Sequence, residues 1–347
     1  MNRKTSWRAA AAALSAAALM AGCGGRRPTL HLYTWADYIK PELVEAFERE
    51  AGCRVVIDTF DSNEAMYNKI KAGASGYDVL VPSSYMVKLL HEQGLLQPIR
   101  RELVPNLRHV DPDYLARAMD PDMRHSVPYM LTNTGIAWLD GRVENPEPSW
   151  AMFGRADLKG RMTMLNDMRE TLGAALKFLG FSLNSRDPDE LAKARDVVIG
   201  WKRNLAKFEN EQYKTGLASG EFLLVHGYNG DILQAAEEND KIVFAIPREG
   251  TSISCDDLVI PVGARQVELA HRFIDFLLRP EVAAENTDFI GYRAPNKSAY
   301  PLMSEDIRNN PAIFLPDDLA ARCEIIGDVG EALALYTRMW DEIKAAE

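Results

Sequence analysis

The sequence predicts an α/β protein whose parallel strands alternate with helices and gather into two lobes. Three observations carry this reading. From residue 30 onward, short apolar runs bounded by turn residues alternate with amphipathic stretches, the pattern of βαβ units. The alternation occurs twice, over residues 30–94 and again over 161–247. Two extended stretches, near 128–138 and 252–260, lead from one series into the other. They set the first lobe at 29–132 plus 257–302 and the second at 133–256 plus 303–347. A chain of 347 residues gives each lobe enough length to bury a core.

The first residues stand apart. Arg3, Lys4 and Arg8 precede an apolar run from Ala9 to Met20, followed by Ala21-Gly22-Cys23. The run is too short to span a membrane as a helix and reads as a secretory signal over 1–22. Small residues before a cysteine resemble the lipobox of bacterial lipoproteins, with Met20 where Leu is usual, and this makes Cys23 the lipidated first residue. Ordinary cleavage at a small-residue site is the alternative. Residues 23–28 then form a tether. Loss of the three basic residues moves the net charge from -10 to about -13. An acidic exported protein is a poor partner for nucleic acid or anionic lipid and a reasonable one for cations. Cys53, Cys255 and Cys323 are an odd set without CxxC spacing, so they carry no metal signature, and no cofactor is expected.

The first series opens with a strand at 30–34, then a turn carrying Trp35, Asp37 and Tyr38. Pro41 starts a helix with Leu43, Val44 and Phe47 on one face. A β-rich run at 53–60 precedes a helix whose start, Asp61 with Glu64, resembles a capping box. YDVLVP at 77–82 reads as a buried parallel strand that stops at Ser83-Ser84-Tyr85, where a helix closing at Gly94 begins. Residues 105–128 are loop-like. In the second series a strand at 161–166 ends at Asp167, and an apolar helix runs from Glu170 to Leu179. Residues 187–207 read as one long helix, with Leu191, Val198, Trp201 and Leu205 at core spacing. A strand at 221–227 ends in Tyr228-Asn-Gly-Asp231, and another follows at 241–247. The second extended stretch, 252–261, carries Asp256 and Asp257 in its middle. A helix at 266–279 and a final one at about 328–344 complete the chain.

The strand ends form a consistent set. Trp35, Asp37 and Tyr38, Ser83 and Tyr85, Asp167 and Glu170, Tyr228 and Asp231, and Asp256 supply aromatics and carboxylates but no Lys and no cluster of His. In open α/β sheets, ligands lie beyond the carboxyl ends of the strands. Carboxylates facing one cleft repel each other unless a cation lies between them, and aromatic faces attract ammonium groups. The set suits an organic cation and suits phosphate badly. Each member has a plainer reading. Trp35 and Tyr38 could cap a core, Asp167 and Asp231 could equally cap the helices that follow them, and Arg169 beside Glu170 could be a surface pair. Asp256 in an apolar strand is harder to dismiss, because a buried carboxylate needs a partner.

Seven segments, YTWADY at 33–38, FDSNEAMYNKIK at 60–71, YDVLVPSSY at 77–85, LNDMRE at 165–170, CDDLVIP at 255–261, FLLRPEVA at 276–283 and IGYRAPN at 290–296, resemble the periplasmic spermidine/putrescine-binding proteins of ABC importers. The similarity runs from about Leu30 to the C-terminus. It implies a type II periplasmic-binding fold, two α/β lobes joined by crossover strands with the ligand between them. It also implies a slot lined by Trp35, Tyr38, Tyr85, Tyr228 and Tyr292, a polar contact from Ser83, and ammonium-binding acids at Asp167, Glu170 and Asp256. Asp231 and Asp37 match the putrescine-binding members. Ser254, Ile326, Ala36 and Tyr228 depart from the family pattern, which usually has a Trp or Phe, a Gln in spermidine binders, a hydroxyl residue and a Trp there. The implied partners are a polyamine and ABC permease subunits in the inner membrane, with the protein a monomer touching the membrane through its lipid anchor alone.

Three rival readings stand beside this one. An enzyme could use paired acids for glycoside chemistry or cast His226 and Ser83 as base and nucleophile. His226, however, lies inside an apolar strand, and there is no nucleophile-elbow or metal motif. A second rival is a binding protein for another ligand, such as a metal ion, an amino acid or a different small organic cation; an α-amino acid would need an Arg or a helix N-terminus for its carboxylate, and no Arg lies in the strand-end loops. A lipoprotein that senses the ligand without feeding a permease would carry the same residues.

Overall fold

The computed structural model describes residues 27–346. The expected signal segment 1–22, Cys23 and the first residues of the tether lie outside the described residues. The chain opens with β1 (Thr29–Thr34), α1 (Pro41–Ala51), β2 (Arg54–Thr59), α2 (Asn63–Lys71), β3 (Val79–Leu80) and α3 (Ser84–Glu92). Short helical turns lead to β4 (Ser126–Leu139). The second series comprises β5 (Met162–Met164), α4 (Met168–Phe178), α5 (Pro188–Lys202), β6 (Leu205–Phe208), α6 (Gln212–Ser219), β7 (Leu224–Tyr228), α7 (Asn229–Glu238) and β8 (Ile242–Ala245). Then come β9 (Ser252–Val259), α8 (Val267–Leu277), α9 (Pro280–Ile290), β10 (Glu324–Ile325) and α10 (Leu333–Ala345).

The strands follow the order β2-β1-β3-β9-β4-β7-β5-β6, with β10 beside β9 and β8 beside β4. Pairing is parallel within each series, β1 with β2 and β3 on one side and β5 with β6 and β7 on the other. The two extended stretches lie antiparallel to one another as β4 and β9, so the sheet is mixed. Fourteen residues of β4 reach roughly 46 Å at the usual strand rise. Its first half pairs with β9, and its second half pairs with β7 and β8. One strand therefore ties both series together.

Side chains alternate across this sheet as the two-residue period of a strand demands. Leu30, Leu32, Val79, Val81, Leu258 and Ile260 pack with Phe47 of α1 and Phe273 of α8. Their neighbours Tyr33, Leu80 and Val259 face the other way, onto Met66, Met86 and Leu90 of α2 and α3. Both faces are covered, which explains why these strands read as unbroken apolar runs. A separate core centres on Trp150, Leu172, Leu191, Val198, Leu224 and Tyr336.

Two local expectations are corrected. Ser62, not Asp61, caps α2, its hydroxyl accepting from the Ala65 amide. The expected helix over 187–207 ends at Lys202, and Leu205 begins β6; a helical stripe and a short strand share the spacing Trp201–Leu205, which hid the boundary. The chain stays with the first core beyond residue 302, since Met303 belongs to it and Ile307 and Phe314 pack against it. It rejoins the second core at Val329. His226 is a core residue packed at 4.8 Å against the Trp150 ring, and neither ring nitrogen has a hydrogen-bond partner among the described residues. Burial pushes its pKa down to about 3, so the ring stays neutral.

Candidate functional site

All eleven residues singled out from the sequence line one cavity of about 250 Å³. The strand ends bring them there. β1 stops at Thr34, and the turn beyond it contains Asp37 in a left-handed conformation, φ 52°. That reversal separates Trp35, which packs edge-on against Phe60, from Tyr38, which is buried. β3 leads into Ser83 and Tyr85 at the start of α3, and β5 into Asp167 and Glu170 at the start of α4. β7 ends on Tyr228, with Asp231 in the first turn of α7. Tyr292 follows Gly291, whose φ of 72° ends α9 and turns the chain into the cavity. Gly230 makes this approach possible: a Cβ there would meet the Ile290 carbonyl and the Tyr292 ring at 2.6 Å.

Asp256 sits in the middle strand β9 and is 6 % exposed. Its two carboxylate oxygens accept from Tyr38 Oη at 2.5 Å and Ser83 Oγ at 2.6 Å. Burial raises its pKa to about 6, with the Asp167 charge adding to the rise and the two hydroxyl donors opposing it. Asp257 faces away, accepting from Ser84 Oγ at 2.8 Å, and does not line the cavity.

Asp167 both caps α4 and lines the cavity, so the two readings of it hold together. Its Oδ1 accepts from the Arg169 and Glu170 amides at 2.8 and 3.0 Å. Glu170 is buried and accepts from Thr134 Oγ1 at 3.0 Å and Ser252 Oγ at 2.5 Å. Burial holds the pKa of both carboxyls above the usual carboxylate range, and their mutual repulsion adds to it for Glu170. Arg169 does not form a surface pair with Glu170. It is buried and turned away, donating to the Gly327 carbonyl at 2.9 Å and Asn184 Oδ1 at 2.8 Å.

Asp231 is no helix cap. Its oxygens accept from Tyr213 Oη at 2.5 Å and Tyr292 Oη at 2.9 Å. Asp37 is the exposed member and pairs with Lys214 Nζ at 3.1 Å. Where the family pattern has a larger aromatic, Ser254 Oγ lies 2.6 Å from Thr132 Oγ1, and Ile326 adds a buried apolar patch.

Sequence reasoning missed Phe60, Asp61, Asn210, Glu211 and Lys214, which also line the cavity. Phe60 and Asp61 follow β2 and obey the same strand-end rule. Asn210, Glu211 and Lys214 follow β6, the strand that the predicted long helix concealed.

Seven carboxylates and one lysine thus share a cleft walled by aromatic rings. Among the described residues, no basic nitrogen lies within ion-pair distance of Asp167, Glu170 or Asp256. Hydroxyls and amides hold these carboxyls in place without neutralising them, which leaves the cleft selective for cations. No group of acids, His or Cys among the described residues has the arrangement of a metal site.

The model of the family described as bacterial extracellular solute-binding protein matches residues 42–315. The chain is 34 % identical over 320 residues to the spermidine/putrescine-binding periplasmic protein of Escherichia coli, covering 91 % of this chain and 92 % of that one. It is 34 % identical to the putrescine/cadaverine-binding protein of Pseudomonas aeruginosa, over 95 % of this chain and 98 % of the relative. The crystal structure of the TpPotD lipoprotein of Treponema pallidum superposes with a TM-score of 0.82 at 34 % identity, covering 91 % of this chain and 99 % of that one. With its two α/β series, its shared crossover strands and its cleft at the strand ends, the chain belongs to the bacterial extracellular solute-binding proteins.

Proposed function

We propose that this protein captures a polyamine, putrescine or spermidine, in the periplasm and delivers it to the permease of an ABC importer. The observation that carries the reading is Asp256, a buried carboxylate held by two hydroxyls and by no cation. An ammonium group supplies the missing charge and makes a charge-assisted hydrogen bond. The rings of Trp35, Tyr38, Tyr85, Tyr228 and Tyr292 line the same cavity and fit the methylene chain between ammonium groups. Asp167 and Glu170 receive one terminus of the ligand. The relatives named for spermidine, putrescine and cadaverine support the same chemistry.

Export and anchoring complete the proposal. Residues 1–22 direct export, and Cys23 carries the lipid that holds the protein at the cell envelope, where it works as a monomer. After export, Cys23→Ser is expected to leave membrane fractions and appear in the soluble periplasmic fraction. Continued partitioning of the variant with membranes contradicts a lipid anchor at this cysteine.

Asp256→Asn keeps the shape and removes the charge. Loss of one partner from a buried charged pair typically costs about 3–5 kcal/mol, on the order of a hundredfold or more in affinity. Calorimetry with putrescine and spermidine is expected to show this loss, while Asp257→Asn, facing away, binds as the wild type does. Binding by Asp256→Asn within a few-fold of wild type contradicts the reading.

The raised carboxyl pKa values fix the pH dependence. Asp256 titrates near pH 6 in the folded protein against an ordinary value of 3.8. The folded state therefore holds its proton more tightly than the unfolded chain does. This group's contribution to the stability of the ligand-free protein falls as pH rises from about 4 to 6. Alkylammonium groups stay charged throughout this range, so binding must expel the proton at low pH. Glu170, raised to about 8, must lose its proton as well, so affinity is expected to fall as pH drops below about 8 and to fall more steeply, by a further factor of up to about ten per pH unit, below 6. Constant affinity between pH 7 and pH 5 contradicts a contact with Asp256.

A further inference from the structure

Asn63 is the first residue of α2 and is 3 % exposed, although its neighbour Ser62 already caps that helix. Asparagine is a weak helix former whose amide competes for hydrogen bonds, so a buried one that is spared from capping has another task. Its Oδ1 accepts from the Ser83 amide at 3.0 Å, and its Nδ2 donates to Ser83 Oγ at 3.1 Å. The backbone N–H of Ser83 can only donate. That fixes the orientation of the Asn63 amide, with oxygen toward the N–H and nitrogen toward the hydroxyl. The direction of the next bond follows. Ser83 Oγ accepts from Asn63, which leaves its own proton for Asp256 Oδ1, 2.6 Å away.

No positive charge offsets the burial of Asp256. The titratable groups that face it are Tyr38 after β1, Asp167 at α4, Tyr228 at the end of β7, Tyr292 after α9 and, on β9 itself, Cys255 and Asp257. None is a cation, so the ionised form rests on hydrogen-bond donors, and Ser83 and Tyr38 are the side chains that donate. Backbone pairing brings Ser83 to Asp256, through the bridge between the two residues and the Asp257 amide donating to the Pro82 carbonyl at 2.8 Å. It does not set the hydroxyl torsion. A serine hydroxyl left alone rotates to suit its surroundings. Asn63 removes that freedom, and it does not itself line the cavity.

We propose that Asn63 is a positioning residue for ligand capture: it locks Ser83 as a donor and so keeps the carboxylate of Asp256 oriented and ionised for an ammonium group. The inference rests on the polyamine reading above and adds to the site a residue that acts only through another. The two hydrogen bonds are coupled in series, so loss of the first weakens the second. The consequence shows in the proton affinity of Asp256. With the Ser83 donor loose, the protonated form gains, and binding at low pH must expel a more tightly held proton. At high pH that proton is absent and the penalty vanishes. A general disturbance of packing, by contrast, weakens binding at every pH.

The test is a double-mutant cycle of Asn63→Leu and Ser83→Ala, read in two ways. Carboxyl NMR of the ligand-free protein follows the titration of Asp256, and calorimetry follows putrescine affinity at about pH 5.5 and about pH 8.5, on either side of that titration. Asn63→Leu is expected to raise the Asp256 midpoint by on the order of one pH unit, the worth of one hydrogen bond to a charged group. Affinity is then expected to fall by about five- to tenfold at the lower pH and to stay within about twofold at the higher. In the Ser83→Ala background the same substitution is expected to change neither quantity. Should Asn63→Leu fail to fold, Asn63→Asp takes its place. The acid still accepts from the Ser83 amide and suits the first turn of a helix. Its added charge acts in both backgrounds, so the part of its effect that disappears in Ser83→Ala belongs to the lost donor. An unmoved Asp256 midpoint, a shift as large in Ser83→Ala as in wild type, or an equal loss of affinity at both pH values overturns the proposal. If the titration behaves as expected but wild-type protein binds neither putrescine nor spermidine, the polyamine reading falls and the hydrogen-bond chain stands.

Discussion

The structure depends on an uncompensated negative charge buried at the seam between two packing units. Carboxylates removed from water either find partners or take up protons. Here the partners of Asp256 and Glu170 are the hydroxyls of Tyr38, Ser83, Thr134 and Ser252, neutral groups that orient a carboxylate without cancelling its charge. The raised pKa values of Asp167, Glu170 and Asp256 express the resulting cost. A cation in the cleft relieves that cost, so part of its binding energy is already stored in the ligand-free fold.

The fold keeps these charges together by anchoring them on rigid elements. Asp256 lies on β9, which pairs with β3 and with β4, and Thr134 lies on β4, which pairs with β7 and β9. Asp167 caps α4 and Glu170 stands in its first turn, where the backbone amides favour negative charge. Close packing at Gly230 lets Tyr292, from the far end of α9, reach the side of the cleft built by α7. Site residues drawn from both α/β series thus meet at strand ends, the position that a sheet of this kind offers to a ligand.

Most of this was legible in the sequence because burial on both faces of the sheet leaves an unambiguous apolar run, and each run ends in a residue that has to be explained. Asp256 announced itself as an acid in an apolar strand. Asp167 carried two readings that local sequence could not separate, and the structure shows one carboxylate serving both. The group at Asn210–Lys214 was hidden because Leu205 continues the helical stripe of α5, although it begins β6. The partners of Asp231 were equally hidden. Tyr213 and Tyr292 come from distant parts of the chain, and only tertiary packing brings their hydroxyls to one carboxylate. The passage of residues 303–314 over the first core followed from side-chain packing on Met303 and Phe314, in a stretch with no strand to mark its allegiance.

The central claim is that positive charge, more than length or shape, is what the cleft selects. The most direct measurement is a thermal-shift comparison of the exported domain with putrescine and with 1,4-butanediol, a neutral molecule of the same chain length, at equal concentration near neutral pH. A ligand present at a hundred times its dissociation constant stabilises the native state by about 2.7 kcal/mol, so putrescine is expected to raise Tm by several degrees while the diol leaves it unchanged. Equal shifts from the two, or a shift from the diol alone, would contradict a site built around unneutralised carboxylates.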